Sequence, residues 1–199
     1  MLSSKGEATK NRIVETAQLL FHLQGFSNTS MDNIIKKSGV KKGNLYFYFK
    51  SKDELGYAVL TRFTEDFMQH QERHFTNDTG RPLQKLYGML DSMEKRLREM
   101  SCHGGCPFGN FAIEMSDIHE GFRKRVAKVF DIWIDQLKRV VDAAKQEGEL
   151  NPSIDSRALA QLLVAAVEGA TMLSKTKKNA KAFRDCARSL RALLEGVEA

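Results

Sequence analysis

The run Thr29-Ser-Met-Asp-Asn-Ile-Ile-Lys-Lys-Ser-Gly-Val-Lys-Lys-Gly-Asn-Leu-Tyr-Phe-Tyr-Phe-Lys-Ser-Lys-Asp-Glu54 decides how the rest of the chain is read. Either hydroxyl of Thr29 and Ser30 can accept from the free N–H groups of a first helical turn, and Asp32 suits the positive end of that helix. Ile34 and Ile35 supply its core contacts, Gly39 ends it, and Val40 is expected to pack inward. The segment 41–49 is locally ambiguous. Leu45-Tyr46-Phe47-Tyr48-Phe49 is rich in β-formers, yet no second strand-like run lies nearby, and a lone strand is unstable. As a helix it places Leu45 and Phe49 at i and i+4 on one buried face, which is the better reading. Ser51-Lys-Asp-Glu54 matches a capping box and opens a long helix. The whole reads as a helix-turn-helix that docks on DNA and runs into a connecting helix.

Working outward, residues 7–24 form a first helix with Ile13, Ala17, Leu20 and Phe21 on one face and Gly25 as its terminator. The charge is as informative as the periodicity. Residues 1–52 hold nine Lys or Arg against three acids, a net of +6, while the other 147 residues hold 22 of each and balance. A basic excess confined to one segment is the footprint of a polyanion-binding module, and a merely basic surface would spread it evenly.

Downstream, Leu55, Val59, Phe63 and Phe67 mark the connecting helix from Ser51 to about His74, and Asn77-Asp-Thr-Gly-Arg-Pro82 breaks the chain. Leu83, Leu86, Leu90, Met93, Leu97 and Met100 mark the next helix. A shorter one follows Cys102-His-Gly-Gly-Cys-Pro and runs to about Asp117. A long amphipathic helix carries Phe122 through Val141 and ends near Gly148. Pro152 precedes a helix bearing Leu159, Leu162, Leu163, Ala166, Val167 and Ala170, and the last carries Phe183, Ala187, Leu190, Leu193 and Leu194. The expected fold is all-α, with about nine helices: a three-helix head over residues 1–52 and a larger helical bundle over residues 53–199.

No apolar run approaches the roughly 20 residues of a membrane span, and the N-terminus lacks the apolar core of a signal peptide. A cytoplasmic protein is expected. Cys102, Cys106 and Cys186 are an odd set, so structural disulfides are not expected. The spacing Cys102-x3-Cys106 with His103 lacks two further ligands, so no metal and no cofactor is expected. There is no Gly-rich phosphate loop, nucleophile elbow or acid–base pair, so an enzyme is not expected either.

The first ~60 residues resemble the DNA-binding domain of the tetracycline-repressor (TetR) family of bacterial transcription regulators. The match runs through Ile13, Ala17, Phe21 and Gly25-Phe26, then Thr29 to Ile34, Gly39 to Phe49 and Ser51 to Leu55. Phe47 and Tyr48 stand where the family often shows Tyr or His. Gly105-Cys-Pro-Phe-Gly-Asn110 resembles a segment of one subgroup, where it opens the sixth helix.

In a helix-turn-helix the N-terminal residues of the second helix meet base edges, here Lys41, Lys42, Gly43 and Asn44. The resemblance implies that Tyr46 and Tyr48 lie along the duplex. Thr29, Ser30 and Lys52 sit at helix N-termini, where phosphate is favoured, although the hydroxyls can equally be caps alone. Dimerisation on a palindromic operator is the expected solution to weak single-site binding. The resemblance favours an interface on the last two helices, at Leu159, Leu162, Leu163, Ala166, Gly169, Phe183, Leu190 and Leu194. It also implies a hydrophobic small-molecule effector in the larger domain, with Met89, Met93, Phe108, Phe111, Met115, Phe130, Trp133 and Met172 as candidate lining. The expected activity is repression relieved by that effector. Two alternatives stand beside it: a redox- or electrophile-sensing regulator using Cys106, whose thiol precedes a helix N-terminus, and a small-molecule binder with only non-specific nucleic-acid affinity.

Overall fold

The computed structural model describes residues 4–75 and 80–196, and among them it contains nine helices and no strand. In order these are α1 (Ser4–Gln24), α2 (Met31–Ser38), α3 (Lys42–Tyr48), α4 (Lys52–Phe75), α5 (Pro82–Glu99), α6 (Pro107–Met115), α7 (Glu120–Gln146), α8 (Ser156–Lys177) and α9 (Lys181–Glu195). The expected break at 77–82 falls largely on residues 76–79, outside the described residues; α5 begins at Pro82. The ambiguous aromatic segment is helical. Leu45 and Phe49 are buried together, and Val40 packs inward behind Gly39, whose φ of 66° is the left-handed conformation that closes α2.

By packing, the chain divides into two compact units, Met1–Asp66 with Pro107–Val126, and Phe67–Cys106 with Ala127–Ala199. The first unit therefore reaches beyond the three-helix head. A head of about 50 residues has too little interior to bury a core by itself. It is completed by Leu55, Val59 and Phe63 of α4, by Phe108, Phe111 and Met115 of α6, and by Phe122 at the start of α7, all buried. An aromatic cluster joins these pieces: Phe26 lies 5.0 Å from Phe21, 5.6 Å from Phe111 and 4.8 Å from Phe122, and Phe111 stacks on Phe122 at 5.5 Å.

The second unit is a helical bundle around Leu86, Met89, Leu90, Trp133, Leu137, Val141, Leu163, Val167, Phe183, Leu190 and Leu194. Ion pairs tie its elements at the surface: Arg184 to Glu94 at 2.8 Å, Arg191 to Asp91 at 2.6 Å and Arg157 to Asp135 at 2.8 Å. Contrary to the reading that no run is long enough, α8 passes the length and composition of a membrane span. Its Ala160, Leu163, Val164, Val167 and Ala170 are buried in the bundle core, which accounts for part of that apolar content.

The start of α5 has no side-chain cap of its own. Glu149, whose side chain is only 2% exposed, supplies one from the far end of α7: its carboxylate accepts from the Leu83 N–H at 3.0 Å and from Arg81 Nε at 3.2 Å. Removing a buried acceptor strands its donors, at roughly 2 kcal/mol. Glu149→Ala is expected to lower Tm by about 4–8 °C in calorimetry; an unchanged Tm would mean that water serves that N–H equally well.

Candidate nucleic-acid interface

The first unit presents α3 with two unlike faces. Leu45 and Phe49 anchor it, while Lys41, Lys42, Gly43, Asn44, Tyr46 and Phe47 are exposed and Tyr48 is half-buried. No side chain caps its N-terminus. Cations and rings alternate along the exposed side: Lys42 Nζ lies 6.0 Å from the Tyr46 ring and Lys50 Nζ 5.9 Å from the Phe47 ring. Lys42 also lies 3.9 Å from Asp32 of α2, an exposed pair that contributes little. Phe47, 65% exposed and edge-on to Tyr48 at 5.0 Å, lies on the same face but is not among the contacts expected from the sequence. The available signal was the i, i+4 anchoring by Leu45 and Phe49, which forces Phe47 outward.

The two hydroxyls before α2 have separate tasks. Ser30 is the N-cap: its Oγ accepts from the Asn33 N–H at 3.1 Å, and Asn33 Oδ1 accepts from the Ser30 N–H at 2.9 Å. Thr29 is fully buried, and its hydroxyl donates to the Gly25 carbonyl at 2.8 Å. That geometry corrects the expectation of a phosphate contact at Thr29, because the group has no surface to offer. At the start of α4, Ser51 Oγ accepts from the Glu54 N–H at 3.1 Å, but the Glu54 carboxylate reaches one residue further back, to the Lys50 N–H at 2.7 Å.

Lys52 also departs from expectation. Its ammonium lies 4.4 Å from the Phe26 ring and donates to the Ser27 carbonyl at 3.3 Å. Burial holds its pKa below the ordinary value, opposed by the charges of Asp53 and Glu114. Lys52 is engaged with the turn between α1 and α2 rather than directed at solvent.

The expected effector lining is divided between the two units. Phe108, Phe111 and Met115 belong to the core of the first unit. Met89, Trp133 and the partly buried Met93 and Phe130 belong to the core of the second, and Met172 is 54% exposed on α8. Apolar residue type marked them, and packing buries or half-buries all of them but Met172 in the two cores. The second unit instead has a cleft of about 510 Å³ between α4, α5 and α7, with Met68, Phe75, Val140 and Ala143 alongside Gln136 and Arg139. The Gln136 amide oxygen there has no hydrogen-bond partner.

The expected interface set also divides. Leu163, Phe183, Leu190 and Leu194 are buried within the subunit's own core, which removes them from any surface, and Leu159, Ala166 and Gly169 are half-buried. Leu162 is 56% exposed. With Ala165, Gly169, Met172 and Leu173 it makes a stripe along α8, and Leu193 of α9 is exposed too. Cys106, just before α6, is half-buried, and its thiol hydrogen-bonds the Glu168 carboxyl, whose pKa burial pushes up. Beside it Gly105, at φ +76°, lies against the Lys175 side chain. Among the described residues, no three His, Cys, Asp or Glu side chains gather as a metal would require.

Comparison with known proteins bears on both units. Residues 13–59 match the model of bacterial regulatory proteins of the tetR family, and residues 82–190 match that of the tetracyclin repressor-like C-terminal domain. An HTH-type transcriptional regulator in the lacX 3′ region of Lactococcus lactis subsp. lactis is 28% identical, over 86% of this chain and 85% of its own. The HTH-type transcriptional repressor DhaR of a Mycobacterium species is 24% identical over 85% and 84%. A TetR transcriptional regulator from Chloroflexus aurantiacus superposes with a TM-score of 0.87 at 27% identity, covering 96% of each chain.

Proposed function

This chain belongs to the tetracycline-repressor (TetR) family of DNA-binding transcriptional regulators, and from that premise we propose that it is a homodimeric, cytoplasmic repressor, released from a palindromic operator when the larger unit receives a small-molecule or chemical signal. Residues 1–52 are the reading head, and residues 53–199 carry dimerisation and sensing. The observation that carries this reading is the two-faced α3, whose buried Leu45 and Phe49 force Lys41, Lys42, Gly43, Asn44 and Tyr46 into solvent. Lys42 and Asn44 are the base readers, while Ser30, Tyr46 and Tyr48 meet phosphate. Phe47 joins them as an apolar contact, and Thr29 and Lys52 leave the set.

The second copy docks on the exposed stripe of α8. Positions 162, 165, 169, 172 and 173 follow a helical period and, with Leu193, offer the apolar face that a four-helix interface between two subunits needs. Signal and DNA binding are then linked by population shift: whatever favours the conformation with wrongly spaced heads must itself be bound less well when operator is present.

Shift assays on a palindrome from the gene's own upstream region test the reading, with a scrambled duplex as control. Wild type is expected to prefer the palindrome by about 10³-fold or more. Equal affinity for both would reduce the protein to a non-specific binder. Lys42→Ala is expected to weaken operator binding by about 1–3 kcal/mol and to relax base preference at one position of each half-site; an unchanged preference would make it a phosphate contact. Leu162→Glu is expected to halve the mass by light scattering and to abolish specific binding. A dimeric Leu162→Glu protein would move the interface elsewhere.

Two entry points for the signal are supported, the cleft between α4, α5 and α7 and the Cys106 thiol. The hydrogen bond between Cys106 and the half-buried Glu168 favours a thiol-based reading, because a change at sulfur disturbs a partly desolvated carboxyl. If that reading holds, N-ethylmaleimide releases wild type from operator DNA and leaves Cys106→Ser bound. Equal release of the two proteins would leave the cleft as the entry point.

A further inference from the structure

We propose that Glu114 of α6 is a positioning residue for DNA binding, clamping the turn between α1 and α2 so that α6 as well as α4 sets the attitude of the reading head. The proposal rests on the DNA-binding reading above. Glu114 Oε2 accepts from the Ser27 N–H at 3.0 Å, across 87 residues of sequence. A Cβ at Gly25 would come within 2.8 Å of Glu114 Oε1, and Gly25 holds φ +89°, so glycine there satisfies the backbone and the carboxylate at once.

Lys52 completes the clamp from the other side. Its Nζ donates to the Ser27 carbonyl and lies over the Phe26 ring, and its charge faces Glu114 and Asp53. Ser27 is thus held at both its N–H and its C=O, by α6 and by α4. Three residues on, Ser30 caps α2, so the turn these groups hold is the one that aims α2 and, through Gly39, α3. A second tie runs parallel to the first: His119 Nε2 lies 3.2 Å from Asp53 Oδ2, and Arg125 lies 3.8 Å from the centre of the Tyr57 ring. α6 is therefore bonded to the head itself through Ser27, and the start of α7 to the first turns of α4. A displacement of α6 reaches the head through Ser27 without passing along α4.

The sign of one substitution separates positioning from simple electrostatics. Removing a carboxylate from a basic head should tighten its hold on any DNA if charge alone matters. Removing a clamp should weaken specific binding only, because phosphate attraction survives a misaimed helix while base contacts do not. The experiment measures affinity for the operator palindrome and for a scrambled duplex with wild type, Glu114→Gln and Glu114→Ala, and hydrogen exchange at the Ser27 amide. Glu114→Ala is expected to lose about tenfold or more in operator affinity, to bind scrambled DNA as well or better, and to lose protection at Ser27. Glu114→Gln, whose amide oxygen still accepts from Ser27, should stay within about threefold of wild type and keep the protection. Operator binding by Glu114→Ala at wild-type strength or tighter would overturn the proposal, as would a Gln variant no better than Ala. Should the Ala variant not fold, an exchange rate at Ser27 identical in Glu114→Gln and wild type with operator affinity lost would likewise overturn it. Failure of the DNA-binding reading looks different: wild type itself would not distinguish the two duplexes.

Discussion

The structure turns on the stacking of Phe111 against Phe122 and the packing of both on Phe26. A head of three short helices has too much surface for the apolar side chains it carries, and three helices from elsewhere in the chain supply the missing interior. Because α4 and α7 each lend one end to that core and α6 its whole buried face, the head is not a bead on a string. Any rearrangement of the three helices changes the surroundings of Phe26, which sits in the very turn that leads into α2. Burying these rings is worth about 1.5–3 kcal/mol each, enough that the head cannot cheaply detach from α6.

Such a design places the tolerance for change on surfaces and the penalty for change on joints. The exposed side of α3 makes only weak surface contacts, such as Lys42 with Asp32, so its residues are open to substitution by whatever an operator requires. The buried side, with Leu45 and Phe49, and the turn with Gly25, Ser27 and Thr29 have no such freedom. In the second unit the same logic separates the outward stripe of α8 from the inward faces of α8 and α9, which the subunit's own core consumes.

Legibility in the sequence follows the range of the interactions concerned. Helix boundaries rest on neighbours within four residues, so Gly39, Ser51 and the pair Leu45 and Phe49 could be read directly. The choice between Thr29 and Ser30 as cap could not, since it depends on which hydroxyl the fold swallows. Lys52 looked like a phosphate contact because a lysine at a helix start usually faces solvent, and its partners, Phe26 and the Ser27 carbonyl, lie 25 and more residues away. The same limit explains the interface and pocket residues: periodicity says that Leu163 and Leu162 are apolar, but only packing says that the first faces in and the second out.

One small choice of side chain has a wider consequence. Both α2 and α4 begin with a serine whose hydroxyl serves the backbone N–H three residues on, yet the side chain that reaches back is Asn33 at α2, to the Ser30 N–H, and Glu54 at α4, to the Lys50 N–H. An amide oxygen and a carboxylate close a helix start about equally well in geometry, but only the carboxylate adds a full negative charge to it. With asparagine, the cap of α2 adds no second negative charge to the one Asp32 already places in its opening turn, while Lys36 and Lys37 sit in its last turn, at the negative end of the dipole. The helix is sealed against fraying with one negative charge at its start, where α4 carries two, Asp53 and Glu54.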